Sequence, residues 1–221
     1  MIEVKRLHLA ELTVTGERWP VHGFVVTHPG GALLVDTGVG GSDQVLSDWR
    51  VVNRSAADAL ADIDMSPADI DLVINTHLHF DHCGQNAVFS HAPYYVQRTE
   101  YERAKVEARE LFDWFGFMNA PFELLDGDAE IVPGVRVITT PGHTSGHQSV
   151  LVTGQDGSVD VLIGDAAYTP VQFGGVEVLA DEELPPGQAA DPVAWRNSLG
   201  RIKSSDPARV HFCHDTAVVH R

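Results

Sequence analysis

Residues 76–84 run Thr-His-Leu-His-Phe-Asp-His-Cys-Gly, directly after the apolar segment 71–75. Three imidazoles and one carboxylate within positions 77–82 cannot be enclosed in an apolar core unless every polar atom finds a partner. The chain must therefore carry this string at the end of a strand, on a rim where other polar groups meet it. Whatever the fold, it has to build that rim.

The rest of the chain supplies the strands. Apolar segments of strand length recur at 23–27, 32–35, 72–75, 94–97, 135–139, 149–152, 159–163 and 210–212. Several are continuous, such as Ala32-Leu33-Leu34-Val35 and Val161-Leu162-Ile163, which suits strands buried on both faces. Helices must then cover the sheets, and helical patterns stand at 42–49, 55–61, 99 to about 114, and 192–203. The expected fold class is a layered α/β protein. At 221 residues and 43% hydrophobic content, without internal repeats, one domain over 1–221 is expected. The stretch 180–191 is loop-rich, and 111–122 gathers Phe112, Trp114, Phe115, Phe117, Met118 and Phe122 into a cluster suited to a core, the wall of an apolar ligand pocket or a homodimer contact.

Imidazole nitrogen and carboxylate oxygen suit Zn, Mn, Fe or Co, and His-x-His leaving a strand can aim both rings at one ion. Asp81 and His82, just beyond His79, turn away from that pair and could serve a second ion. Further donors follow other strands: His143 in Pro141-Gly142-His143, Asp165 after Gly164, and His214 between Cys213 and Asp215. Donors repeatedly placed where strands stop are what a site at one sheet edge requires. His147 stands four residues after His143, but the turn residues Pro141, Gly142 and Gly146 argue against a helix there, so it is expected to open the following strand as a structural residue. Cys83 and Cys213, the only cysteines, are expected to be reduced, packed thiols.

The set His77-x-His79-x-Asp81-His82, His143, Asp165 and His214 resembles the metallo-β-lactamase superfamily across the chain from Leu34 to Asp215. The resemblance implies a four-layer αβ/βα sandwich with a dinuclear centre at one edge. It assigns His77, His79 and His143 to one ion, Asp81, His82 and His214 to the other, Asp165 as the bridge, and Asp36 as a support behind the ligands. The finer resemblance is to the N-acyl-homoserine lactonases, the quorum-quenching branch. It rests on the string 76–84 including Phe80, and on Tyr168, three residues after Asp165, where those enzymes keep a catalytic tyrosine. This implies two divalent ions, zinc foremost with Mn, Fe or Co as other occupants, and opening of a lactone ring by a bridging hydroxide. Tyr168 and Asp81 would be catalytic. Phe80, His22, Phe112 and Phe115 are the candidate walls of the substrate pocket. The chain is compact for that branch, so acyl-chain preference does not carry over.

Three neighbouring readings stand beside this one. Thioesterases of the glyoxalase II type share the first motif but usually append a helical domain after the position of His214. Flavodiiron proteins carry Glu where His79 stands. A sensor binding metal and an acyl ligand would not need the complete ligand set. A formal charge of −16, from 15 Lys and Arg against 31 Asp and Glu, disfavours nucleic acid and anionic membranes as partners. A charged N-terminus, Met1-Ile2-Glu3-Val4-Lys5-Arg6, and no apolar run of membrane length point to the cytoplasm.

Overall fold

The computed structural model describes residues 2–107, 120–174 and 189–220. The chain opens with a hairpin of two twelve-residue strands, β1 (Glu3–Val14) and β2 (Glu17–His28). Thr15 and Gly16 both have positive φ, 50° and 91°, as a two-residue hairpin turn requires. Strands β3 (Gly31–Val35), β4 (Val52–Asn53), β5 (Leu72–Ile74), β6 (Tyr94–Gln97) and β7 (Phe122–Leu125) complete a first sheet in the order β4-β1-β2-β3-β5-β6-β7. The second sheet is β13-β12-β11-β10-β9-β8, built from β8 (Ala129–Val132), β9 (Val135–Thr139), β10 (Gln148–Thr153), β11 (Val159–Leu162), β12 (Arg209–His211) and β13 (Val218–His220).

The continuous apolar strands divide their side chains between two cores. In β3, Leu33 and Val35 face Val137, Val150 and Leu162 of the other sheet, with Phe24, Val26 and Ile74 beside them. Leu34 and Ala32 face the opposite way, toward Ala56, Ala59 and Leu60 of α2 (Ala56–Ala61). In the second sheet Val161 and Val210 turn outward onto Trp195, Leu199 and Ile202 of the helix Pro192–Ser204, while Leu162 turns inward. The result is helix, sheet, sheet, helix, the αβ/βα sandwich expected from the resemblance.

Local chemistry sets the helices. Ser42 caps α1 (Asp43–Asp48) through Val45 N, and Ser55 caps α2 through Asp58 N at 3.0 Å. The helix α3 (Arg98–Glu107) follows β6 directly, and α4 is the short Pro170–Gly174. Pro192 occupies the first turn of α5 (Pro192–Ser204), whose cap Asp191 accepts from Val193 N and Ala194 N, both at 3.0 Å. Strands β1, β4, β7, β8 and β13 go beyond the sequence expectation. In β1 the alternation is interrupted by a register shift between His8 and Ala10, which buries Leu9 and Ala10 together and conceals the period of two. The aromatic cluster at 111–119 and the loop-rich stretch 180–188 lie outside the described residues; Phe122, at the cluster's end, lies in β7.

One contact between backbones holds the rim closed. Gly84 N donates to Gly38 O and Gly40 N to Phe80 O, both at 2.9 Å, and a Cβ on Gly84 would stand 1.8 Å from Gly40 N. No rotamer relieves such an overlap, so Gly84→Ala is expected to cost ~3 kcal/mol and lower the thermal midpoint by roughly 6–12 °C. Gly200, exposed within α5 with nothing within 4 Å of its would-be Cβ, serves as the opposite case. Gly200→Ala is expected to add about 0.5–1 kcal/mol. Thermal unfolding of the two variants checks both signs.

Candidate metal centre

The string 77–82 leaves β5 and coils back on itself: His82 N and Cys83 N both donate to His79 O, at 3.1 and 3.0 Å. That turn separates its donors into two groups. His77 and His79 meet His143, which lies in the loop between β9 and β10, and Asp165, which follows β11. Asp81 and His82 meet His214, which follows β12. Within each group the donor atoms lie within 4.8 Å of one another, so each could hold an ion.

The distances define the arrangement. His79 Nδ1 stands 3.0 Å from His77 Nε2 and 3.1 Å from His143 Nε2, with Asp165 Oδ2 3.3 Å from His143 Nε2 and 3.7 Å from His77 Nε2. On the other side Asp165 Oδ1 stands 3.2 Å from His82 Nε2 and 3.3 Å from His214 Nε2, and Asp81 Oδ2 is 3.9 and 3.6 Å from the same two nitrogens. Asp165 thus offers one carboxylate oxygen to each group. A tetrahedral ion with bonds of about 2.0–2.1 Å to nitrogen places its donors about 3.3–3.4 Å apart, close to this spacing. His82 Nε2 and Asp165 Oδ1 are buried and make no hydrogen bond of acceptable geometry. Buried polar atoms left this way require an explanation, and a cation between them supplies one.

The opposite ring edges are held by the protein. His82 Nδ1 lies 2.8 Å from Asp36 Oδ2, and His214 Nδ1 lies 3.0 Å from Pro20 O. These acceptors place the proton on Nδ1 and leave each Nε2 lone pair facing the centre. Asp36 also accepts from Thr76 N and Thr76 Oγ1, both at 2.8 Å, so it fixes the start of the string as well as His82. His147 is buried and stands just before β10, one residue short of the strand it was expected to open, and it does more. Its Nε2 accepts from Asp165 N at 2.9 Å, while Nδ1 lies 2.8 Å from Thr140 Oγ1, so it anchors the backbone of the shared carboxylate.

The charge states follow from burial and neighbours. Burial pushes His77 well below its ordinary pKa and His79 down to about 4, aided by the adjoining imidazoles, which favours both rings in the neutral form. Burial would also raise Asp165, but the His82, His214 and His143 rings outweigh it and keep that carboxyl well below its usual range. For His82 and His214 burial is likewise outweighed, chiefly by Asp165, and both rise. The centre is an ionised carboxylate ringed by five imidazoles, ready to exchange protons for a cation.

Tyr168 lies over the junction of the two groups, its ring 5.9 Å from that of His143 and 5.3 Å from that of His214. Burial pushes its hydroxyl above the ordinary tyrosine value, with Asp165 and Asp81 adding to the effect, so it remains a donor. Trp19 of β2, absent from the sequence expectations, packs edge-on against Tyr168 at 5.3 Å and lies 6.2 Å from the His214 ring. Phe80 is half-buried against Trp49, ring centres 5.5 Å apart. His22 is buried beside His8, and its backbone N–H donates to Cys213 O at 2.9 Å. Phe112 and Phe115 lie outside the described residues. Cys83 and Cys213 are free and buried, and burial pushes the Cys213 thiol up to about 12.

Comparison with known proteins identifies the family. A family profile described as the Metallo-beta-lactamase superfamily matches residues 16–214. The chain is 32% identical over 213 residues to an N-acyl homoserine lactonase of Bacillus cereus, covering 89% of this chain and 81% of that protein. It is 34% identical over 215 residues to the N-acyl homoserine lactonase AttM of Rhizobium radiobacter, covering 84% and 76%. Among solved structures it is similar to a quorum-quenching N-acyl homoserine lactone hydrolase, with 28% identity, a TM-score of 0.78 and coverage of 96% and 92%. It is also similar to an N-acyl homoserine lactone hydrolase with the product N-hexanoyl-L-homoserine bound at the catalytic metal center, with 26% identity, a TM-score of 0.77 and coverage of 97% and 93%.

Because Asp36 accepts from Thr76 N, Thr76 Oγ1 and His82 Nδ1 at once, its carboxylate can be tested separately from its shape. Asp36→Asn would set an amide N–H against an existing donor. The expected outcome is a ~10–100-fold loss of metal affinity, read by competition with a chelator of known affinity.

Proposed function

The chain belongs to the metallo-beta-lactamase superfamily, and from that membership we propose that it is a metal-dependent hydrolase that opens the lactone ring of N-acyl homoserine lactones. The observation that carries the proposal is the pair of donor groups sharing Asp165 beneath the Tyr168 ring. In this proposal His77, His79 and His143 hold one ion, Asp81, His82 and His214 the other, and Asp165 both. Zinc suits these nitrogen and oxygen donors, and Mn, Fe or Co fit the same set. Two divalent ions supply a water acidified toward neutrality and a polarised carbonyl.

The side chains do the rest. A water oxygen forms a bond to the lactone carbonyl carbon, and its proton passes to the Asp81 carboxylate. Tyr168, held protonated, donates a hydrogen bond to the carbonyl oxygen as negative charge gathers there. The ring C–O bond then breaks, and Asp81 returns the proton to the departing ring oxygen, leaving an N-acyl homoserine. Trp19, packed against Tyr168, and Phe80, between His79 and Asp81 in the chain, offer apolar surface for a neutral substrate that needs no electrostatic steering. The hydrolase is proposed to be one domain over residues 1–221. A cytoplasmic setting is supported by two buried, unpaired thiols. Among the described residues no helix is long and apolar enough to cross a membrane.

The test is hydrolysis of short- and long-chain N-acyl homoserine lactones by metal-analysed protein, beside a thioester and a β-lactam. Turnover of the lactones is expected; a dinuclear protein that cleaves only the thioester overturns the substrate. Tyr168→Phe keeps the ring against Trp19 and removes only the donor. It should lower kcat by ~100- to 1,000-fold with both ions retained, and an unchanged rate removes Tyr168 from the reaction.

A further inference from the structure

Two carboxylates lie buried beneath the centre, and Asp36 is only one of them. Glu100, in the first turn of α3, is fully buried. Its Oε1 accepts from Leu78 N at 2.9 Å and from Arg103 Nη2 at 2.5 Å, and its Oε2 accepts from Thr144 Oγ1 at 2.7 Å and Arg103 Nε at 3.3 Å. Leu78 stands between His77 and His79, and Thr144 follows His143. The His143 loop is pressed onto the same spot, since a Cβ on Gly146 would lie 2.2 Å from Glu100 N. One carboxylate thus joins the two loops that present His77, His79 and His143. None of its bonds reaches Asp81, His82 or His214. Asp36, by contrast, takes the Nδ1 edge of His82 directly, besides Thr76 at the start of the string.

From this we infer that Glu100 is a positioning residue for the His77/His79/His143 half of the centre, setting the separation of its two loops so that His79 Nδ1 stays within reach of both partner nitrogens. Arg103 keeps the buried carboxylate ionised and paired, and its own second partner is Glu107 at 3.0 Å. The inference rests on the two-ion reading above and predicts an asymmetry that reading alone does not: damage at Glu100 affects one ion and spares the other.

The experiment is a chelator-buffered titration with cobalt(II), followed by its visible absorption, on the wild type, Glu100→Gln, Thr144→Val and Thr144→Ser. His143→Ala and His214→Ala give the reference spectra of each half left alone. Two ions are expected in the wild type. In Glu100→Gln and Thr144→Val one ion is expected to bind ~10–100-fold more weakly, with the remaining spectrum matching His143→Ala. Thr144→Ser, which keeps the hydroxyl, should bind as the wild type does. Equal weakening of both ions, or of neither, overturns the role of Glu100. A wild type that takes up fewer than two ions instead overturns the two-ion reading itself. If Glu100→Gln does not fold, the contrast between Thr144→Val and Thr144→Ser decides by the same criteria.

Discussion

The 2.8 Å contact between Asp36 Oδ2 and His82 Nδ1 is the interaction from which the rest of the centre is organised. Asp36 follows β3 directly, with φ of 58°, a left-handed conformation that aspartate tolerates better than most residues. That backbone turns its carboxylate under the end of β5, where it takes the main-chain N–H and hydroxyl of Thr76 as well as the imidazole. A buried carboxylate with three donors is stable where an unpaired one would not be. The bonds that satisfy it also aim the His82 lone pair at the centre, so folding and ligand orientation are the same event here.

The same economy recurs around the rim. Main-chain and side-chain acceptors take the outward edges of His82 and His214, and His147 takes the backbone N–H of Asp165. Glu100 does for two loops what Asp36 does for one strand end. The backbone of Asp165 is therefore held from behind by the His147 imidazole, while the five imidazoles in front of its carboxylate are held by oxygen atoms or by their loops. Rigid strands alone would not give this: every donor lies just past a strand, where direction depends on a few such bonds.

How much of this was legible in the chain depended on whether the partner was local. The string 77–82 is dense enough to exclude a core by itself, and His143, Asp165 and His214 were visible because each follows an apolar strand. The doubly apolar runs of β3 and β11 correctly implied helices on both outer faces. Glu100 was not legible, because Arg-Thr-Glu-Tyr-Glu-Arg reads as the solvated first turn of a surface helix, and only the fold buries it. Pro20 could not be foreseen, since a carbonyl acceptor leaves no trace in side-chain pattern. Trp19 was missed for a related reason: the hairpin that carries it toward Tyr168 is masked by the register shift in β1.

The division of donors between the sheets has a consequence for how the molecule holds together. His77, His79, Asp81 and His82 belong to the first sheet, whereas His143, Asp165 and His214 belong to the second. Each donor group draws on both, so an ion bound in either would add a cross-link between halves that already meet through apolar side chains and through hydrogen bonds such as His22 N to Cys213 O and Gln148 N to Thr76 O. Such a link works as a disulfide does, restricting the open ensemble, but it is reversible and responds to ion concentration. On the two-ion proposal, the opening of this edge of the sandwich, and with it the hydrogen exchange of β5, β11 and β12, would be tied to metal supply.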